Sequence, residues 1–196
     1  MTNRLTAPAA THTGRNRFAA LVFACVLLLV APAGASAKVF LELGGVPGES
    51  TAAGFQGHIE LDSFQFGVSN PVQMGTDTAK GKPSFSEIVV TKSLDKSSPT
   101  LMLRTADMKA LPFARVRVTR ASATGESVVV RYCFTNVKVT SFSVSTSAEL
   151  PVESISLSYG TIVQSYTQQA GAGVKEEVFT SGWDVIGNLQ FGEACK

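Results

Sequence analysis

Few residues in this chain have the type and spacing that chemistry needs. Beyond position 37 a single histidine remains, His58, next to Gly57. A lone imidazole works as a general base only when a nucleophile is held within hydrogen-bond reach, and no spacing places one there. His58 reads as a surface or turn histidine at a strand edge. Ser93-Leu94-Asp95-Lys96 has the S-x-x-K form in which a lysine activates a serine, but the S-D-N and K-T-G partners of that chemistry are missing. The sequence holds no G-x-S-x-G, Walker A or H-E-x-x-H, and no His/Cys group with zinc-ligand spacing. Gly171-Ala172-Gly173 reads as a turn between strands, because no helix follows it to hold a phosphate. Lys175-Glu176-Glu177 reads as a solvated charge run. We expect no enzyme, no metal and no cofactor.

The N-terminus explains part of the composition. Residues 1–17 are polar, with Arg4, Arg15 and Arg17 and no acid, and Phe18 to Ala31 are almost wholly apolar. Pro32-Ala33-Gly34 then leads into Ala35-Ser36-Ala37. This is the layout of a secretory signal peptide, with cleavage expected after Ala37. The apolar run is shorter than the ~20 residues a membrane span needs. Two regions follow: a signal at 1–37 and one domain at 38–196, secreted or periplasmic, with no membrane span in the mature chain. The full sequence has 17 Lys+Arg and 15 Asp+Glu; removing the three leader arginines leaves 14 against 15. That near-neutral balance argues against nucleic acid or an anionic membrane surface as the main partner.

Two cysteines remain after cleavage, Cys133 and Cys195. In an oxidising compartment they can pair, closing a loop of about 60 residues worth roughly 4 kcal/mol in the chain-entropy model. Equally, Cys133 can be a packed strand thiol and Cys195 a separate one, because spacing says nothing of their Cα separation.

The remaining pattern is of strands. Val39 to Leu43 is β-branched and apolar and stops at Gly44-Gly45. Ile59, Leu61, Phe64, Phe66 and Val68 form an extended run whose parity switches at Asp62-Ser63, the mark of a bulge. The last three are expected in the core. Residues 70–84 read as a long loop, and Phe85 to Val90 as one strand. Ala114 to Thr119 alternates cleanly. Ser127 to Val139 alternates with a second parity shift near Asn136. Ser141 to Ser147, Val152 to Tyr166 and Val174 to Val185 complete the set. One segment differs: Ser98 as N-cap and Pro99 in the first turn predict a short helix ending before Leu111-Pro112. The expected fold is mainly β, a small antiparallel barrel or sandwich with one short flanking helix.

Several stretches, in order, resemble the Hcp family, the haemolysin-coregulated tube protein of type VI secretion. They are Phe40-Leu41-Glu42-Leu43, Val46-Pro47-Gly48-Glu49-Ser50 and Gly57-His58-Ile59-Glu60-Leu61. Phe64-Gln65-Phe66-Gly67-Val68-Ser69 is similar to the family's aromatic-x-aromatic-G pattern. The most specific stretch runs from Val90 through Thr91-Lys92 and Asp95 to Ser98-Pro99-Thr100-Leu101, resembling a strand followed by T-K-x-x-D-x-x-[ST]-P-x-L. Gly182-Trp183-Asp184 is similar to the family's closing G-W-[DN]. The resemblance implies a non-catalytic, self-assembling subunit that forms hexameric rings, which stack and carry effector proteins in the lumen. It places Ser63 and Gln65 facing that lumen and the loop Gly48, Glu49, Ser50 against a neighbouring subunit. The leader departs from the family pattern, since such proteins leave the cytoplasm through the machine itself. The alternative reading of the residues is an exported monomeric β-domain that binds an extracellular or cell-surface ligand.

Overall fold

Alternating β-branched and aromatic residues need a partner strand for their backbone and a second layer for their apolar face. The computed structural model describes residues 37–71, 82–122, 125–146, 150–168 and 177–192, and shows how both needs are met. β1 (Lys38–Leu43) lies between β2 (Ile59–Leu61) and β7 (Leu111–Ser122). After Asp62 the β2 chain continues as β3 (Ser63–Gln65), which pairs β6 (Ile88–Ser93). β6 pairs β9 (Val152–Ser158), and β9 pairs the second half of β8 (Gly125–Ser145). The first half of β8 returns to β7. The circuit β1, β2–β3, β6, β9, β8, β7 closes on itself, an antiparallel barrel with two corner-turning strands.

Leu41, Ile59, Ile88, Val90, Val116, Phe134, Val139, Ile155 and Leu157 fill its interior, each no more than 2% exposed. α1 (Ser98–Asp107) adds Leu101 to that core. Beyond the barrel, β10 (Thr161–Gln168), β11 (Glu177–Asp184) and β12 (Leu189–Phe191) extend the sheet from β8.

The parity switches mark real corners. Asp62 N–H donates to Thr91 O (2.9 Å), holding the chain as it passes from β1 to β6. Asn136 is left-handed (φ 52°) and resets which side chains face inward, from Phe134 to Val137 and Val139. Several expected boundaries differ. The runs 127–139 and 141–147 are one strand, β8, because its pairing with β9 continues past a register shift between Val139 and Ser141. The strand expected over 85–90 is two, since β5 (Ser84–Phe85) turns away to pair β4 (Val68–Ser69). Val68 belongs to that separate ribbon and is exposed rather than core. α1 begins at Ser98, with Ser97 in the cap position and no side-chain cap, since the Ser97 hydroxyl donates to Asp95 Oδ1. The short β12 was not foreseen. Residues 1–36, most of the 70–84 loop, Gly171–Gly173 and Cys195 lie outside the described residues. Among the described residues no helix is long and apolar enough to cross a membrane.

Candidate functional site

The T-K-x-x-D-x-x-S stretch folds into a buried polar cluster at one end of the barrel. Ile88, Val90 and Lys92 alternate inward on β6, so the third inward residue is a lysine, only 1% exposed. Its register partner on β9 is Glu153, fully buried beside Ile155 and Leu157. Lys92 Nζ meets Glu153 Oε2 at 2.7 Å and Asp95 Oδ1 at 2.8 Å. It also donates to Ser93 O and to Ser98 Oγ. Ser98 Oγ in turn donates to Glu153 Oε2 (2.8 Å) and accepts from Asp95 N–H. A buried cation is tolerated only when paired and hydrogen-bonded, and this one has four acceptors. Burial raises the Asp95 carboxyl, but the hydrogen bonds from Lys92 and Ser97 outweigh it and hold the group below the usual carboxylate range. The cluster ties β6, β9 and the start of α1 together. Its hydroxyls and its ammonium are committed within the cluster, while Glu153 Oε1 is buried without a hydrogen-bond partner among the described residues.

The S-x-x-K reading finds no geometry to support it. Ser93 lines an open groove of about 300 Å³ with Glu49, Glu60, Asp62 and Asp95, and Lys96 does not line it. His58 stands at a turn, where its backbone N–H donates to Phe55 O (3.1 Å), and is partly buried. Its side chain is 15% exposed, edge-on to Phe55, which itself stacks on Phe40 at 4.2 Å. Nδ1 donates to Gln56 O (3.3 Å), and Nε2 accepts from Arg117 Nη1 (2.6 Å). With its lone pair taken by a guanidinium, this imidazole is no base. Arg117 and Arg115 also hold Glu42, at 2.9 and 3.1 Å. Burial raises Glu42, and the hydrogen bond and charge of Arg117 with the charge of Arg115 outweigh it, leaving the carboxyl below its ordinary range.

The residues singled out for assembly are placed as follows. Ser63 and Gln65 both point outward on β3, opposite Phe64, and Ser63 Oγ shares a 2.7 Å hydrogen bond with Thr91 Oγ1. Phe64 and Phe66 pack with Tyr132 and Phe134, and Phe134 with Tyr159, whose hydroxyl burial pushes up to about 12. The Gly48–Ser50 loop is not a free arm. Gly48 and Ser50 bond back to Gly57 and His58 through the backbone, and Ser50 Oγ donates to Glu60 (2.6 Å). Of the three, only Glu49 is exposed. A Cβ on Gly48 would stand 2.2 Å from His58 O, which accounts for the glycine.

In the closing motif, Gly182 sits against the Phe191 carbonyl, Trp183 stacks on Phe85, and Asp184 Oδ1 accepts from Ile186 and Gly187 N–H to form the β11–β12 turn. Among the described residues β12 covers only Gly182 to Asp184, leaving Glu177 to Ser181 without a partner strand on that side, with Val178 and Phe179 about half exposed. Cys133, between Arg115 of β7 and Val163 of β10, is disulfide-bonded. Its partner lies outside the described residues, as does Cys195. Sequence reasoning missed Glu153, Glu42 and the open β11 edge. Only the strand register brings the first two to their partners.

A family model described as type VI secretion system effector, Hcp, matches residues 40–166. Among solved structures, one reported as a type six secretion system protein superposes with a TM-score of 0.71 at 24% identity, covering 80% of this chain and 100% of that one. Hcp1 from Salmonella typhimurium gives 0.67 at 24% identity, covering 80% and 99%. The secreted protein Hcp3 from Pseudomonas aeruginosa gives 0.55 at 13% identity, covering 74% and 97%. At these identities the superpositions speak for the fold. A search of curated protein sequences finds no match.

Proposed function

We propose a role that proceeds from one premise: the chain belongs to the Hcp family of type VI secretion proteins, whose model spans most of its barrel. This is a family of non-catalytic tube and effector proteins. Within it, the chain is a ring-forming subunit, six copies to a ring, with stacked rings enclosing a lumen that carries effector proteins. Ser63 and Gln65 face that lumen. Glu49, the outward residue of its loop, contacts the neighbouring subunit. Residues 1–37 direct export and are removed after Ala37, so that the domain 38–196 assembles outside the cytoplasm.

One observation carries the assembly reading. Among the described residues, the β11 edge from Glu177 to Ser181 has no partner strand on one side, and Val178 and Phe179 are exposed on its two faces. A long, bare apolar edge is a liability for a monomer and an asset for a subunit. Light scattering on residues 38–196 over a sizing column tests it. A mass near six chains is expected, and a single-chain mass at high concentration would overturn the ring in favour of a monomeric binding domain.

A further inference from the structure

We infer that the barrel seals its own processing site: leader removal has to precede folding, and a copy that folds first keeps its leader. This rests on the leader reading above, in which the Ala37–Lys38 bond is cut. The reaction adds one water across that amide and leaves a carboxylate on Ala37 and an amine on Lys38. The first observation is that no linker separates the bond from the fold. β1 starts at Lys38, and its ladder to β7 starts there too, Lys38 opposite Thr119. Thr119 is 1% exposed, and its hydroxyl lies 3.3 Å from Lys38 O. The second is that β1 has no free edge past its first residue. Val39, Phe40 and Leu41 pair with Leu61, Glu60 and Ile59 of β2 on one side. On the other they pair with Val118, Arg117 and Val116 of β7. The third is that both faces of β1 are covered. Leu41 points into the core, and Phe40, on the opposite face, is fully buried in its stack on Phe55.

A peptidase draws the bond and its flanking residues into a cleft as an extended chain, pairing with a free backbone edge and seating side chains in pockets. In the folded domain Val39 and Phe40 offer no edge, and Phe40 offers no side chain. There is no local way out. β1 joins β2 to β7 in the closed circuit, so lifting it opens the barrel and wets Leu41, Ile59 and Val116, each no more than 2% exposed. Cutting therefore draws on globally unfolded chains, about one in a thousand or fewer for an ordinary domain.

An order of steps follows. The chain meets the peptidase before β1 is paired, so it is exported unfolded. Cut copies then close their barrels outside the cytoplasm. Copies that close them earlier retain residues 1–37, and the timing of folding sorts the chain into two pools.

The test offers the full chain to a detergent-solubilised signal peptidase in two forms, fully refolded and diluted from urea at the moment of mixing. The diluted form should be cut after Ala37, and the refolded form at least a hundredfold more slowly. K92A should be cut faster than the refolded parent by the same factor by which it raises the unfolding constant. Equal rates for the two forms would overturn the seal alone. Absence of cutting after Ala37 in both forms would overturn the leader reading and the proposal with it. Hydrogen exchange gives a readout that needs no peptidase. The Phe40 and Leu41 amides of the refolded chain should exchange as slowly as the slowest amides of β7, and exchange a hundredfold faster would overturn the seal.

Discussion

At the scale of residues, the chain spends its best-buried charges on holding the barrel shut. Lys92 and Glu153 are register partners on the inward faces of β6 and β9. Removing one partner of a buried pair strands the other. K92A should lose about 3–5 kcal/mol in urea unfolding, whereas the paired change K92M with E153L should recover most of it. Acid acts on the same region. Asp95 and Glu42 both sit below the ordinary carboxylate range. Such groups contribute stability that is present above their unfolded value and lost as pH falls through the folded one. Unfolding midpoints measured from pH 7 down to pH 3 should fall below about pH 4, and D95N should flatten that fall. The T-K-x-x-D-x-x-S spacing was legible as a motif, because Lys92, Asp95 and Ser98 lie within one turn of chain. Glu153, 61 positions past Lys92, was not, since only sheet register joins them. The turn position of His58 was legible, but its partner was not: Arg117 reaches it across β1, and nothing local foretells that.

At the scale of elements, period-two alternation disclosed almost every strand, because each barrel wall has one wet and one dry face. It failed where the backbone resets its own parity. The register shift between Val139 and Ser141 made one strand look like two, and β4–β5 left the barrel while keeping the alternation of a core strand. The three-residue β12 carries too few residues to show a period at all. Turn chemistry was firmer. Gly48 packs against the His58 backbone with no room for a Cβ, so G48A should displace the loop and cost about 2 kcal/mol or more, read by thermal denaturation. Losing the loop's backbone bonds to Gly57 and His58 should also free Phe55 from Phe40, visible as faster exchange at Phe40.

At the scale of the whole molecule, the family and barrel were readable from ordered motifs, while the edge proposed for assembly was not, because exposure of an apolar edge depends on what stops pairing it. F179E places a charge on that edge without touching the core. It should shift the solution mass of residues 38–196 toward single chains and leave the unfolding midpoint within about 0.5 kcal/mol of the parent. One feature bears on more than assembly. β8 from Val130 to Ser145 is flanked along one side by β10 and then β9, in a register that carries through the kink at Asn136 and Gly160, where Gly160 N–H still bonds Thr135 O at 2.8 Å. Mechanically this is one long ribbon running through both the barrel and the outer strands. Tension along it loads every rung at once, in shear, whereas tension across it peels the rungs singly. The subunit is stiff in one direction and weak in the other, and the orientation of β8 in any particle it builds decides which of the two an applied force meets.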